Sequence, residues 1–313
     1  MTIKMLKLCL FASLLMIIGF LGLLYLFPQT SFDLVIKAER AAGGLVPGNI
    51  QVNGLRFAYL EGGQGESLVL LHGFGANKDN WTRIGKYLTP HFRVIAPDLT
   101  GFGESSPAPD DDYTIRTQVE RVRALVRALG IPSFHLGGSS MGGSIAGAYA
   151  LLYPQEVKSL FLMAPGGVVS AAPSEMYRRL MKGEPNPLVA ANMEDYERLL
   201  DFVFFERPFI PPPIKAVLMQ EAIDHRPLNI KIFEQLIRPE NIEPLEERLN
   251  SLTVPTLIVW GAHDRVLHVS GARILGGVIP NAKTVVMDEA GHLPMIESPR
   301  ETAQLYLNFL GRT

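Results

Sequence analysis

The chain is poor in cysteine: one, Cys9, in 313 residues. A lone thiol excludes an internal disulfide framework and any metal site built from paired cysteines. Charge of either sign is not in excess, with 29 Lys and Arg against 31 Asp and Glu, so no bulk basic field points to nucleic acid. No fixed internal period and few low-complexity tracts accompany a 47% hydrophobic content, which excludes solenoid and disordered classes. The seven histidines show no H-E-x-x-H spacing and the glycines no G-x-G-x-x-G register, so neither zinc nor a dinucleotide is indicated. No metal or cofactor is expected. The length suffices for a sizeable core in one large domain or two small ones.

Residues 8–27 carry no charge and follow Lys4 and Lys7, close to the roughly 20 apolar residues that span a bilayer. The run ends in "LFPQTS", without a small-residue cleavage site. An uncleaved single-pass anchor within residues 1–30 is expected, with a cleaved secretory signal as the alternative. Lys37 and Arg40 balance Lys4 and Lys7, so the flanking charges do not set orientation. A main domain outside the cytoplasm is the working expectation. Residues 31–50 read as a short amphipathic connector.

Beyond the connector, "LRFAYLEGG", "SLVLLHGFG", "FRVIAPD", "FHLGGS", "SLFLMAP", "TLIVWG" and "KTVVMDE" read as strands, several as continuous apolar runs suited to a buried parallel sheet. Ile115, Val119, Val122, Val126 and Leu129 recur at helical spacing, closed by Gly130 and Pro132. Such alternation predicts an α/β fold with a mostly parallel sheet flanked by helices and right-handed crossovers. One interval breaks it. Residues 170–250 are helical in pattern and rich in aromatics (Tyr177, Tyr196, Phe202, Phe204, Phe205, Phe209, Phe233), as expected of a cap inserted between two late strands. Most of these rings should form the cap's own core, and a subset could line an apolar pocket. The core then comprises 51–169 and 251–313.

"HLGGSSMGGSIAGAYA" places Gly138-Ser139-Ser140-Met141-Gly142 between a strand and a helix. G-x-S-x-G is satisfied only with Ser140 central, which makes it the candidate nucleophile at a sharp strand-to-helix turn flanked by Gly138 and Gly142. Serine needs a base. His292, in "DEAGHLPMIESP" after the last strand, suits the chain order, whereas His72 precedes the serine. His91, His135 and His225 read as surface or packing residues, and His263 and His268 flank the candidate acid. That acid is Asp264, in the loop after "TLIVWG", with Asp288 and Glu289 in reserve; Asp98 ends a strand but precedes the serine and is expected to organise its own loop. An oxyanion needs fixed donors, and the N–H groups of Phe74 in "HGFG" and of Met141 are the natural pair. "HGFG" as an ordinary tight turn is the bland alternative.

With those residues in view, positions 50–312 resemble the α/β-hydrolase superfamily. "LLHGFGANKDNWTRI", "GGSSMGGSIAGAYA", "YPQEVKSLFL" and "GHLPMIESP" resemble the bacterial family V lipases, and "VPTLIVWGAHDRVLHVSGA" the membrane-anchored monoacylglycerol lipases of animals. The resemblance implies a serine carboxylic ester hydrolase whose Ser-Asp-His triad falls on Ser140, Asp264 and His292, with Phe74 and Met141 as oxyanion donors. It implies a helical cap over an acyl pocket, with Pro211 to Pro213 in the corresponding region, and a lipid or small ester as substrate. Dehalogenases and epoxide hydrolases of this fold carry aspartate where Ser140 stands. Carbon–carbon bond hydrolases of ring-cleavage products share triad and cap and are the main rival; cationic groups in the pocket would mark them. A non-catalytic ligand-binding homologue is the reading from another class, and no triad member is lost here. Oligomeric state is not fixed by the sequence.

Overall fold

The computed structural model describes residues 4, 5, 7, 11–13, 19, 22, 24–108 and 110–312. The expected membrane span over residues 8–27 lies largely outside them, and among the described residues no helix is long and apolar enough to cross a membrane.

Helix α1 (Pro28–Ala42) opens on a proline, whose fixed φ suits a first turn. Strand β1 (Val46–Val52) follows and pairs antiparallel with β2 (Leu55–Gly62). Residues 31–50 are therefore not merely a connector, and β1 crosses the boundary expected at residue 51. Pro47 and Gly48 weaken its strand signal, yet β1 is an edge strand, where both are tolerated. Its register is set by Asn53 and Gly54, with φ of 51° and 80°, the backbone of a tight hairpin turn. That Asn-Gly pair is the signal in the sequence that announces the hairpin.

The remaining strands lie where the apolar runs predict them: β3 (Ser67–Leu71), β4 (Arg93–Pro97), β5 (Phe134–Ser139), β6 (Val157–Met163), β7 (Thr256–Gly261) and β8 (Ala282–Met287). The sheet order is β1-β2-β4-β3-β5-β6-β7-β8, antiparallel at β1–β2 and β2–β4 and parallel elsewhere. Between these strands run α2 (Thr82–Leu88), α3 (Ile115–Ala128) and α4 (Met141–Leu152). Side chains alternate between two cores: Val69, Leu71, Leu160, Leu162 and Ile258 join one, and Leu68, Leu70, Phe161, Met163 and Val259 the other. The period of two in a doubly covered sheet produces this split.

Between β6 and β7 the chain forms the helical insert: α5 (Glu175–Met181), α6 (Met193–Val203), α7 (Pro212–Asp224), α8 (Arg226–Leu236) and the short α9 (Leu245–Arg248). Tyr196 and Leu200 are buried in its own small core, while Phe202 and Val203 pack on Val266 of the main body. Phe205 and Phe209 are exposed. Helix α1 packs against both α2 and α7, so the N-terminal helix braces the insert. After β7 come α10 (Ser270–Val278), α11 (Pro294–Glu297) and α12 (Pro299–Phe309).

Candidate active site

Phe74 follows β3, Ser140 follows β5, Asp264 follows β7 and His292 follows β8, so parallel strands deliver all four to one edge of the sheet. Ligands of open parallel sheets sit outside that carboxyl edge.

Ser140 has φ 55° and ψ −120°, a strained backbone for a residue with a side chain. The turn is possible because Gly138 and Gly142 meet: a Cβ on Gly138 would stand 2.2 Å from the Gly142 carbonyl oxygen, and one on Gly142 2.2 Å from that of Leu71. Ser139 is fully buried with its hydroxyl unpartnered, whereas Ser140 lines a cavity. The two serines are thus physically unlike, and only Ser140 meets the space a substrate would fill. Ser140 also precedes α4, whose N-terminal end carries the positive pole of the helix.

Asp264 Oδ1 accepts the N–H groups of Val266 (2.8 Å) and Leu267 (2.9 Å), and its Oδ2 lies 2.8 Å from His292 Nδ1. A carboxylate oxygen there makes Nδ1–H the donor, so Nε2 is left as the acceptor for a serine proton. Both side chains are buried, with side-chain exposures of 5% for His292 and 0% for Asp264. The reserves Asp288 and Glu289 are solvent-exposed. Among the described residues no hydrogen bond joins Ser140 Oγ to His292. The structure brings Asp264 and His292 into contact and sets Ser140 on the same sheet edge.

The "HGFG" loop lies against the serine: a Cβ on Gly73 would be 3.1 Å from that of Ser140. His72, not a base, holds this loop. Its Nε2 accepts the Leu99 N–H at 2.9 Å, so its Nδ1–H donates to the Gly73 carbonyl at 2.8 Å. Burial pushes its pKa down, consistent with a neutral ring. Gly73 C=O and Phe74 N–H belong to one trans peptide and point opposite ways. Fixing the carbonyl therefore aims the Phe74 N–H. Among the described residues neither that N–H nor the Met141 N–H has a hydrogen-bond acceptor. The sequence assigned His72 no role; its place directly before the glycine was the available clue.

Asp98 organises its own loop, as expected. It accepts Lys78 N (2.7 Å), Lys78 Nζ (2.8 Å) and Glu104 N (2.8 Å), and Lys78 also reaches Glu104 at 2.7 Å. Arg40 of α1 adds a two-pronged pair with Asp79 at 2.6 and 2.7 Å. His135 bonds Ser159, His225 is held by the Glu221 carbonyl, His263 stacks on Phe205, and His268 contacts Ser270. His91 is exposed.

The cavity has a volume of about 610 Å³ and a largely apolar lining that includes Phe74, Ser140, Met141, Tyr177, Phe233 and Trp260. Two of the insert's aromatics, Tyr177 and Phe233, thus face it. Among the described residues its one lining arginine, Arg248, is paired with Glu243. Among the described residues no cluster of histidine, cysteine and carboxylate side chains is arranged to hold a metal ion.

The family model described as "alpha/beta hydrolase fold" matches residues 66–195 and 223–299. The chain belongs to this family. Lipase 1 of Psychrobacter immobilis is 39% identical over 280 residues, covering 88% of this chain and 87% of that protein. Monoacylglycerol lipase abhd6-A of Xenopus laevis is 32% identical over 308 residues, 94% of this chain and 90% of its own. The crystal structure of a membrane phospholipase A, described as a bacterial virulence factor, superposes with a TM-score of 0.88 at 43% identity, over 97% of this chain and 98% of that one. The hydrolase is a carboxylic ester hydrolase of the lipase group, the class the sequence led us to expect.

Proposed function

We propose that this α/β hydrolase cleaves lipid esters, acylglycerols or glycerophospholipids, through an acyl-enzyme formed on Ser140. The observation that carries the reading is the apolar cavity of about 610 Å³ with Ser140 and Met141 in its wall. That size lies in the range of small-molecule sites, and an apolar wall suits an acyl chain. The pairing of Arg248 with Glu243 leaves no free arginine for the acidic dienone that a carbon–carbon hydrolase would bind. The names of the relatives, a lipase, a monoacylglycerol lipase and a membrane phospholipase A, support the same class.

In this mechanism His292 Nε2 takes the Ser140 proton as Oγ bonds to the ester carbonyl carbon. The carbonyl oxygen becomes an oxyanion held by the Phe74 and Met141 N–H groups. Asp264 stabilises the imidazolium. The tetrahedral centre collapses, the alcohol leaves with the proton from His292, and the acyl group remains on Oγ. Water then loses a proton to His292, attacks the acyl carbon, and releases the fatty acid while Ser140 regains its proton. Residues 170–250 serve as the cap over this centre and 51–169 with 251–313 as its catalytic body. The apolar stretch at 8–27 holds the enzyme at a bilayer, with the catalytic body outside the cytoplasm.

The test is hydrolysis by the full chain in detergent of esters from acetyl to long acyl, with monoacylglycerol, triacylglycerol and phospholipid, beside Ser140→Ala. Activity that rises toward medium or long chains and vanishes in the variant supports the reading. Ester cleavage that survives in Ser140→Ala overturns it.

A further inference from the structure

We infer that Glu297 is a positioning residue that locks the His292 loop to the cap segment 203–206; the inference rests on the triad reading above. Glu297 lies at the end of α11, five residues after the histidine. Its Oε1 accepts the N–H groups of Gly291 (2.9 Å) and Leu293 (3.4 Å), which flank His292 on both sides. Its Oε2 accepts those of Phe205 (2.7 Å) and Glu206 (3.3 Å), in the segment just after the cap's α6. One carboxylate thus satisfies four backbone donors from two segments 85 or more positions apart in the chain.

The segments are in direct contact as well. His292 N donates to the Val203 carbonyl at 2.8 Å, and a Cβ on Gly291 would meet Phe205 N at 2.7 Å. The Phe205 ring stacks on His263 with centroids 4.1 Å apart and planes 12° apart, and His263 immediately precedes Asp264. Cap residues 203–205 therefore touch the loop of the acid and the loop of the base at once. None of Glu297, Phe205 and His263 lines the cavity that holds Ser140. Their effect is on where the imidazole sits, and displacement of a catalytic group by about 1 Å costs on the order of 100-fold in rate.

The 203–206 end of the cap is thus fixed to the loops that carry Asp264 and His292.

The experiment uses the full-length enzyme in detergent. Glu297→Gln keeps shape and one acceptor but turns an NH₂ toward one of the donor pairs. Fluorophosphonate titration of the serine counts active enzyme, so kcat is expressed per titrated site. The expected result is a fall in kcat of about 10- to 100-fold with KM within about twofold. Hydrogen exchange should quicken at 203–206 and 290–293 together. Should Glu297→Gln not fold, Glu297→Asp, which keeps the charge one methylene short of the donors, provides the same comparison. A kcat per titrated serine within twofold of the native enzyme, or a loss carried by KM alone, overturns the positioning role. The two readings fail differently: absence of Ser140-dependent ester cleavage in the native enzyme refutes the triad assignment, whatever Glu297 does.

Discussion

Ser140 holds a backbone conformation that costs on the order of 1–3 kcal/mol, stabilised by glycines that touch across the turn. The neighbouring Ser139 hydroxyl is buried without a partner, so the adjacent serines respond oppositely to the same substitution. Ser140→Ala should lower kcat by on the order of 10⁵-fold or more. Ser139→Ala should leave kcat within about twofold and the melting temperature unchanged or slightly higher, because it removes an unsatisfied hydroxyl. Parallel kinetics and thermal melts decide this. Asp264→Asn keeps an oxygen for the Val266 and Leu267 N–H groups but can present an NH₂ to His292, favouring the wrong tautomer. Its kcat should fall about 10⁴-fold with little change in stability, measured by esterase kinetics and urea denaturation. At this scale much was legible. The G-x-S-x-G register has only one solution, and chain order together with a place after the last strand makes His292 the candidate base among seven histidines. His72 and Glu297 were not legible as positioning groups, because each also depends on backbone N–H groups from a distant segment, Leu99 for His72 and Phe205 and Glu206 for Glu297, that only the folded chain brings near.

At the scale of elements, the loops around the serine are tied together by the Lys78–Asp98 pair, with Lys78 only 2% exposed and Asp98 fully buried. Asp98 holds Lys78 in its charged form against the pull of burial. Lys78→Met would leave Asp98 with two backbone donors and, among the described residues, no ion-pair partner. Destabilisation of about 3 kcal/mol or more is expected from chemical denaturation, with a lower kcat because the 72–78 loop carries the Phe74 N–H. The inner strands β3 to β7 were readable because a doubly buried strand writes itself as a continuous apolar run. Strand β1 was not, since it sits at an edge where Pro47 and Gly48 cost little. The Asn53-Gly54 turn, a local signal, carried the information that the strand itself lacked.

For the molecule as a whole, His135 gives stability a pH dependence. Burial, aided by the Lys158 charge, lowers its pKa from 6.5 to about 4, while nearby Glu66 is engaged by Lys158 and Arg312. The unfolded chain therefore binds a proton more readily between pH 6.5 and 4. His135's contribution is intact above about pH 6.5 and is lost as pH falls toward 4, by up to on the order of 3 kcal/mol. His135→Gln should flatten that part of a stability-versus-pH curve followed by urea midpoints; an unchanged slope would show that other groups carry it. Deletion of residues 1–27, which spares α1 and its packing on α7, should leave hydrolysis of a soluble short-chain ester unchanged and slow that of vesicle lipids about tenfold or more.

By itself the sequence determined the alternating α/β plan, the place of the helical insert, the strained serine and the identities of its proposed partners. Those features live in periods of 2 and 3.6 residues and in short turns, where neighbours along the chain are also neighbours in space. Tertiary structure alone decided that Asp264 reaches His292 across the β7 and β8 loops, that Tyr177 and Phe233 face the cavity while Tyr196 and Phe202 are buried in packing, and that Glu297 holds cap and catalytic loop together. Each of these depends on burial and on contacts between distant residues, which no local pattern specifies.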